Sequence, residues 1–176
     1  HKGTFYIITT NVYNSGDGSP GLMRNFIITA NNPSGPWSKP YIIEGAPGID
    51  PDIFFDDNGK VYFTGTHSPG DMNANGIGEI WIQELDIKKR ILIGNRHTVW
   101  DGIFGCCTEG PHIYKEHGLY YLLVAEGGTG KNHAVMMAAS KNIFGPYEEN
   151  PRNPVLSTRH VTNDYFVNST GHADMI

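Results

Sequence analysis

"DPDIFFDDNGKVYFTG", residues 50–65, decides how the rest of the chain reads. An apolar run, a tight polar turn and a second aromatic-rich run make an antiparallel hairpin. Asp57-Asn58-Gly59 supplies the turn, because Asn and Gly accept the positive φ that such a reversal needs. The pattern returns at 110–125 as "GPHIYKEHGLYYLLVA": Pro, any residue, Ile, two more residues, a turn with Gly, then a Tyr-containing strand. "GTFYIITT" at 3–10 matches the second half of that hairpin. The turn glycines Gly3, Gly59 and Gly118 stand 56 and then 59 residues apart.

Outward from these hairpins the chain shows almost no helical period. Short β-branched and aromatic runs recur instead, among them "NFIITA", "EIWIQEL" and "AVMMAAS". A second echo couples "ANNPSGPW" (30–37) to "ASKNIFGPY" (139–147), where a strand runs into Gly-Pro-aromatic. Trp37 and Tyr147 hold equivalent places there and read as wedges between repeats. A repeat of about 60 residues built from four short strands predicts the blades of a β-propeller. The fold is therefore predicted all-β, with about three blades in residues 1–176. The chain opens inside one hairpin and closes with "GHADMI", which starts another. The expectation is a fragment of a single propeller domain, without the first inner strand and the last blades. Such a piece should be poorly stable alone.

Composition narrows the function. Net charge is −5, with Lys+Arg 13 against Asp+Glu 18 and no basic cluster, which argues against nucleic acid. No apolar run reaches the roughly 18 residues of a membrane span. Cys106 and Cys107 are adjacent, where a disulfide is strained, so they read as two free, buried thiols. With Glu109 and His112 they resemble a zinc cluster only superficially, since no C-x-x-C spacing exists; His112 is expected on the outer face of its strand. "EGGTGKN" (126–132) fails as a phosphate loop, lacking the first Gly and the final Ser or Thr, and reads as a strand-end turn.

In a propeller the first strand of each blade lines the central axis, so residues opening those strands converge. Asp50 stands one residue before Pro51, Glu109 two before Pro111, and His172 opens the third copy. Paired carboxylates in one cleft are the equipment of glycoside hydrolysis: one must hold a proton for the leaving oxygen, the other must stay ionised. Asp52 alternates in phase with Asp50 and rivals it, although the Asp-Pro register favours Asp50; Asp56 and Asp57 belong to the turn. Trp100 and Phe104 precede the Glu109 strand and are candidates for a sugar-stacking wall.

These segments, "GIDPDIFFDDNGKVYF", "TEGPHIYK", "YYLLVAEGGTG", "GPYEENPRNPVL" and "TGHADMI" with "NPSGPWSKP", resemble glycoside hydrolase family 43, in its β-xylosidase and α-L-arabinofuranosidase branch. The resemblance covers almost the whole chain in family order. It implies a five-bladed propeller that removes terminal xylose or arabinose from plant polysaccharides and oligosaccharides with inversion, β-xylosidase favoured. Glu109 would then be the general acid, Asp50 its pKa modulator and His172 a supporting, substrate-side residue. The general base would lie on a strand before His1, so the isolated piece should be inactive. The resemblance requires no cofactor and allows a structural calcium near the axis; an extracellular setting suits the substrate. The branch commonly carries small residues where this chain has Cys106-Cys107. Alternatives are an α-L-arabinofuranosidase, an endo-arabinanase, or a non-catalytic carbohydrate-binding propeller.

Overall fold

A computed structural model describes residues 1–13, 22–103, 106–162 and 166–176. Among these described residues twelve strands fall into three antiparallel sheets in chain order, and there is no helix. The first sheet holds β1 (Phe5–Tyr13), β2 (Leu22–Ala30) and β3 (Tyr41–Ile42). The second runs β4 (Asp52–Phe55), β5 (Val61–His67), β6 (Glu79–Asp86) and β7 (Ile91–Trp100). The third runs β8 (Glu109–Glu116), β9 (Leu119–Glu126), β10 (Ala134–Ser140) and β11 (Glu148–Glu149), with β12 (Leu156–Ser157) also pairing to β10. Each full sheet is a meander whose first strand sits at one edge. The two first strands, β4 and β8, touch each other, and β1 touches β4.

The expected repeat is present in backbone as well as sequence. Gly3, Gly59 and Gly118 all take positive φ in their turns (78°, 85° and 78°). Gly35 and Gly145 repeat a second turn, each donating its N–H to the Asn three residues earlier at 2.8 Å. Tyr147 packs against the core between the second and third sheets, as a wedge should.

β5 is buried at every position, polar Thr64, Thr66 and His67 included, and its place explains why. Tyr62 faces one cluster with Ile80, Ile82, Leu122 and Met136, while Val61 and Phe63 face another with Ile27, Ile43 and Trp81. β5 is therefore buried on both faces, and the alternation of exposed with buried positions disappears. A polar tie locks the same interface. Buried Asp56 accepts from Lys115 Nζ at 2.7 Å and from the Tyr120 hydroxyl at 2.8 Å, joining the β4–β5 turn to the third sheet. Burial works to raise the Asp56 pKa, but these bonds and the Asp57 N–H outweigh it and hold the group below its ordinary value. Asp56 thus does more than shape its own turn.

Candidate active site

The segment ahead of β4 is pinned from two sides. Buried Asn25 on β2 donates from Nδ2 to the carbonyls of Ala46 and Gly48 at 3.1 and 3.2 Å. The Ile49 carbonyl accepts the Thr66 N–H at 3.2 Å. Gly48 lies so close to Thr66 that a Cβ would stand 1.7 Å from the Thr66 carbonyl oxygen, so no other residue fits. This delivers Asp50 in a left-handed conformation, φ 54°. For a non-glycine residue that costs about 1 kcal/mol, and such strain collects at functional sites.

Glu109 begins β8 at an irregularity. Glu109 pairs with Ala125 but His112 with Leu123, so β8 carries one extra residue and Gly110 takes φ 57°. A bulge of this kind re-aims the side chain beside it. Gly110 is required a second time by packing, because a Cβ there would stand 2.7 Å from the His172 ring. Its N–H donates to Asp50 Oδ2 at 3.1 Å, and His172 Nε2 lies 3.9 Å from the same oxygen. Asp50, Gly110 and His172 share positive φ, so the backbone equivalent of Asp50 is Gly110, with Glu109 one residue earlier. The three polar residues singled out from the repeat, Asp50, Glu109 and His172, come together at this point.

Glu109 is 8% exposed. Burial pushes its carboxyl above the ordinary value, and the nearby Asp50 charge pushes further; His172 and His133 pull the other way. A cleft of about 270 Å³ opens at Asp50 and His172, lined also by Thr9 of β1, Pro51, Gly110 and His112; Glu109 is not in its lining but directly precedes Gly110. Asp52, the in-phase rival, is engaged further along β8 and not with Gly110: its Oδ2 lies 3.5 Å from His112 Nδ1 and accepts the Ile113 N–H at 3.4 Å. His112, expected on the outer face of its strand, instead lines the cleft, since the bulge turns β8 by one residue.

Trp100 ends β7, packs against the core and donates from its indole nitrogen to buried Glu126 at 3.1 Å. It is not among the residues lining the cleft. Phe104 lies outside the described residues. The cysteines correct an expectation: both are free, but Cys106 is exposed and Cys107 half-buried. Both lie ahead of β8, outside any strand, where no sheet face covers them, and Cys107 adopts φ 61°. "EGGTGKN" is the turn between β9 and β10, as expected.

His133, just ahead of β10, carried no signal in the sequence beyond its place at a strand start. It is 6% exposed, its Nδ1 lies 3.1 Å from the Ser169 carbonyl, and its Nε2 is buried without a hydrogen-bond partner. Gly171 makes room for it, since a Cβ there would stand 2.3 Å from the ring. Among the described residues, Glu109, His133 and His172 each bring a metal-ligating atom within 4.8 Å of the others. Two imidazoles and one carboxylate differ from the all-oxygen shell of six to eight ligands that calcium takes. Cys106, Cys107, Glu109 and His112 form no such group among the described residues.

With this geometry in place, comparison with known proteins is specific. The chain is 47% identical to a xylosidase/arabinosidase of Butyrivibrio fibrisolvens, a match covering 100% of the chain and 34% of that protein. It is 39% identical to a non-reducing end alpha-L-arabinofuranosidase of Bacteroides ovatus, covering 100% of the chain and 30% of that protein. The crystal structure of a xylan beta-1,4-xylosidase from Bacillus Halodurans superposes with a TM-score of 0.85 at 35% identity, over 98% of this chain and 32% of that one. The chain spans about a third of the length of these relatives. Its fold is that of a five-bladed β-propeller, of which it holds part. A model of the glycosyl hydrolases family 43 matches residues 1–176, and the chain belongs to that family.

Proposed function

We propose that the protein carrying this chain hydrolyses terminal xylosyl or arabinosyl linkages with inversion, with Glu109 as general acid. The observation that carries the reading is a buried Glu109 whose surroundings raise its pKa above the ordinary value, with the Asp50 carboxylate fixed to the neighbouring peptide. In this scheme Glu109 protonates the leaving oxygen of the glycoside. Asp50 keeps the proton on Glu109 until that moment, and His172 steadies Asp50 from the far side. A further carboxylate of the propeller, outside residues 1–176, activates water on the opposite face of the sugar. The two reacting groups then stand roughly 6.5–9.5 Å apart, which leaves room for the water. A sugar-binding propeller without chemistry has no use for a buried carboxyl whose pKa is raised in this way. β-Xylosidase is favoured over arabinofuranosidase, and the relatives' names include both.

The test uses the whole protein on aryl β-xylosides and aryl α-L-arabinofuranosides, with the anomer released followed by NMR. Glu109→Gln should lower kcat about 10²–10⁴-fold on a poor leaving group and far less on a dinitrophenyl glycoside, which needs no proton. An unchanged rate on the poor leaving group would sink the assignment of Glu109.

A further inference from the structure

Thr66, near the end of β5, is fully buried and distant in sequence from both carboxylates. Its hydroxyl donates to the Thr108 carbonyl at 3.0 Å and accepts the Gly78 N–H at 3.1 Å. Its backbone N–H donates to the Ile49 carbonyl at 3.2 Å, and its own carbonyl accepts the Trp81 indole N–H at 3.3 Å. Ile49 directly precedes Asp50, and Thr108 directly precedes Glu109. One residue of the second sheet thus grips both segments a single peptide ahead of the two carboxylates.

The two grips differ in kind. Ile49 is held by the Thr66 backbone, which any residue provides. Thr108 is held through the hydroxyl, which only Thr or Ser provides. The Gly78 N–H also reaches the Thr108 carbonyl, at 3.2 Å, but it is shared with that hydroxyl, so the hydroxyl is the undivided donor. No backbone ladder substitutes for it, because the β8–β9 pairing begins only at Glu109 and is bulged there.

We propose that Thr66 is a positioning residue that sets the spacing of Glu109 from Asp50 through its hydroxyl bond to Thr108. The proposal rests on the functional reading above only in naming Glu109 the acid. Valine keeps the shape of threonine and removes the hydroxyl. Without it, the start of β8 relaxes away from Asp50, and Glu109 loses the neighbouring charge together with some of its burial.

The experiment compares wild type, Thr66→Val and Thr66→Ser in the whole protein. Thr66→Val should lower kcat roughly 10–100-fold, the loss expected for a misplacement near 1 Å, with little change in KM. The alkaline limb of the pH profile, where the acid loses its proton, should move to lower pH. Thr66→Ser should restore both. Equal losses in the Val and Ser variants, or a folded Val variant with the wild-type limb, would overturn the proposal. Titration of the Glu109 carboxyl by isotope-edited infrared spectroscopy reads the same shift without turnover. A protein that hydrolyses no glycoside therefore defeats the functional reading and leaves the Thr66 claim decidable. Should Thr66→Val not fold, Thr66→Cys retains a weaker donor and should give a smaller shift in the same direction; no shift refutes the proposal.

Discussion

A carboxyl group that is 8% exposed and faces a second carboxylate keeps its proton beyond the ordinary range, and that has a cost in folding. The folded state binds this proton more tightly than the unfolded chain does. The contribution to stability is therefore greatest below the ordinary value of 4.5 and is lost as pH rises through the raised one. Glu109→Gln removes the titration, so calorimetry should show it melting above wild type at neutral pH, with the gap closing below pH 4.5. A gap independent of pH would contradict this account. Asp50, Glu109 and His172 were legible in the sequence because a repeat places them at matching strand starts. His133 and Thr66 were not, since their importance comes from packing against Gly171 and from bonds to loops that no local pattern encodes. The cysteines misled for a related reason: burial is the habit of thiols in general, but these two lie in the segment ahead of β8 and not on a strand.

At the scale of elements, the strands with turn glycines and continuous apolar runs could be read directly. β7 could not. Its sequence, "ILIGNRHTVW", mixes Gly94, Arg96 and His97 among apolar residues, and its pairing with β6 is twice irregular, so no period of two survives. Trp100 at its end was expected as part of a sugar wall, yet its indole nitrogen is bonded to Glu126. Trp100→Phe should thus destabilise the protein by about 1–3 kcal/mol, the penalty when a buried acceptor loses a donor, in denaturant titrations. KM for an aryl glycoside should stay near wild type. A raised KM at unchanged stability would instead put the ring in contact with sugar.

For the whole molecule, the three sheets are unequally covered. The inner strands β5 and β6 of the middle one are buried on both faces, whereas β1 leaves Phe5 and Ile7 at 44% and 42% exposure and β7 leaves Ile91 at 44%. Expressed by itself, the 176-residue chain should bind a hydrophobic dye, melt well below the whole protein and turn over no aryl glycoside. A cooperative melt matching the whole protein's, or measurable turnover, would refute this. The candidate site also inverts the usual rule of mutational tolerance. Large core side chains such as Phe63 or Trp81 can be trimmed with graded losses. Gly48, Gly110 and Gly171 cannot be enlarged by even one carbon without colliding with Thr66, His172 or His133. The site is moulded by three missing methyl groups, so its most fragile positions in evolution are its smallest.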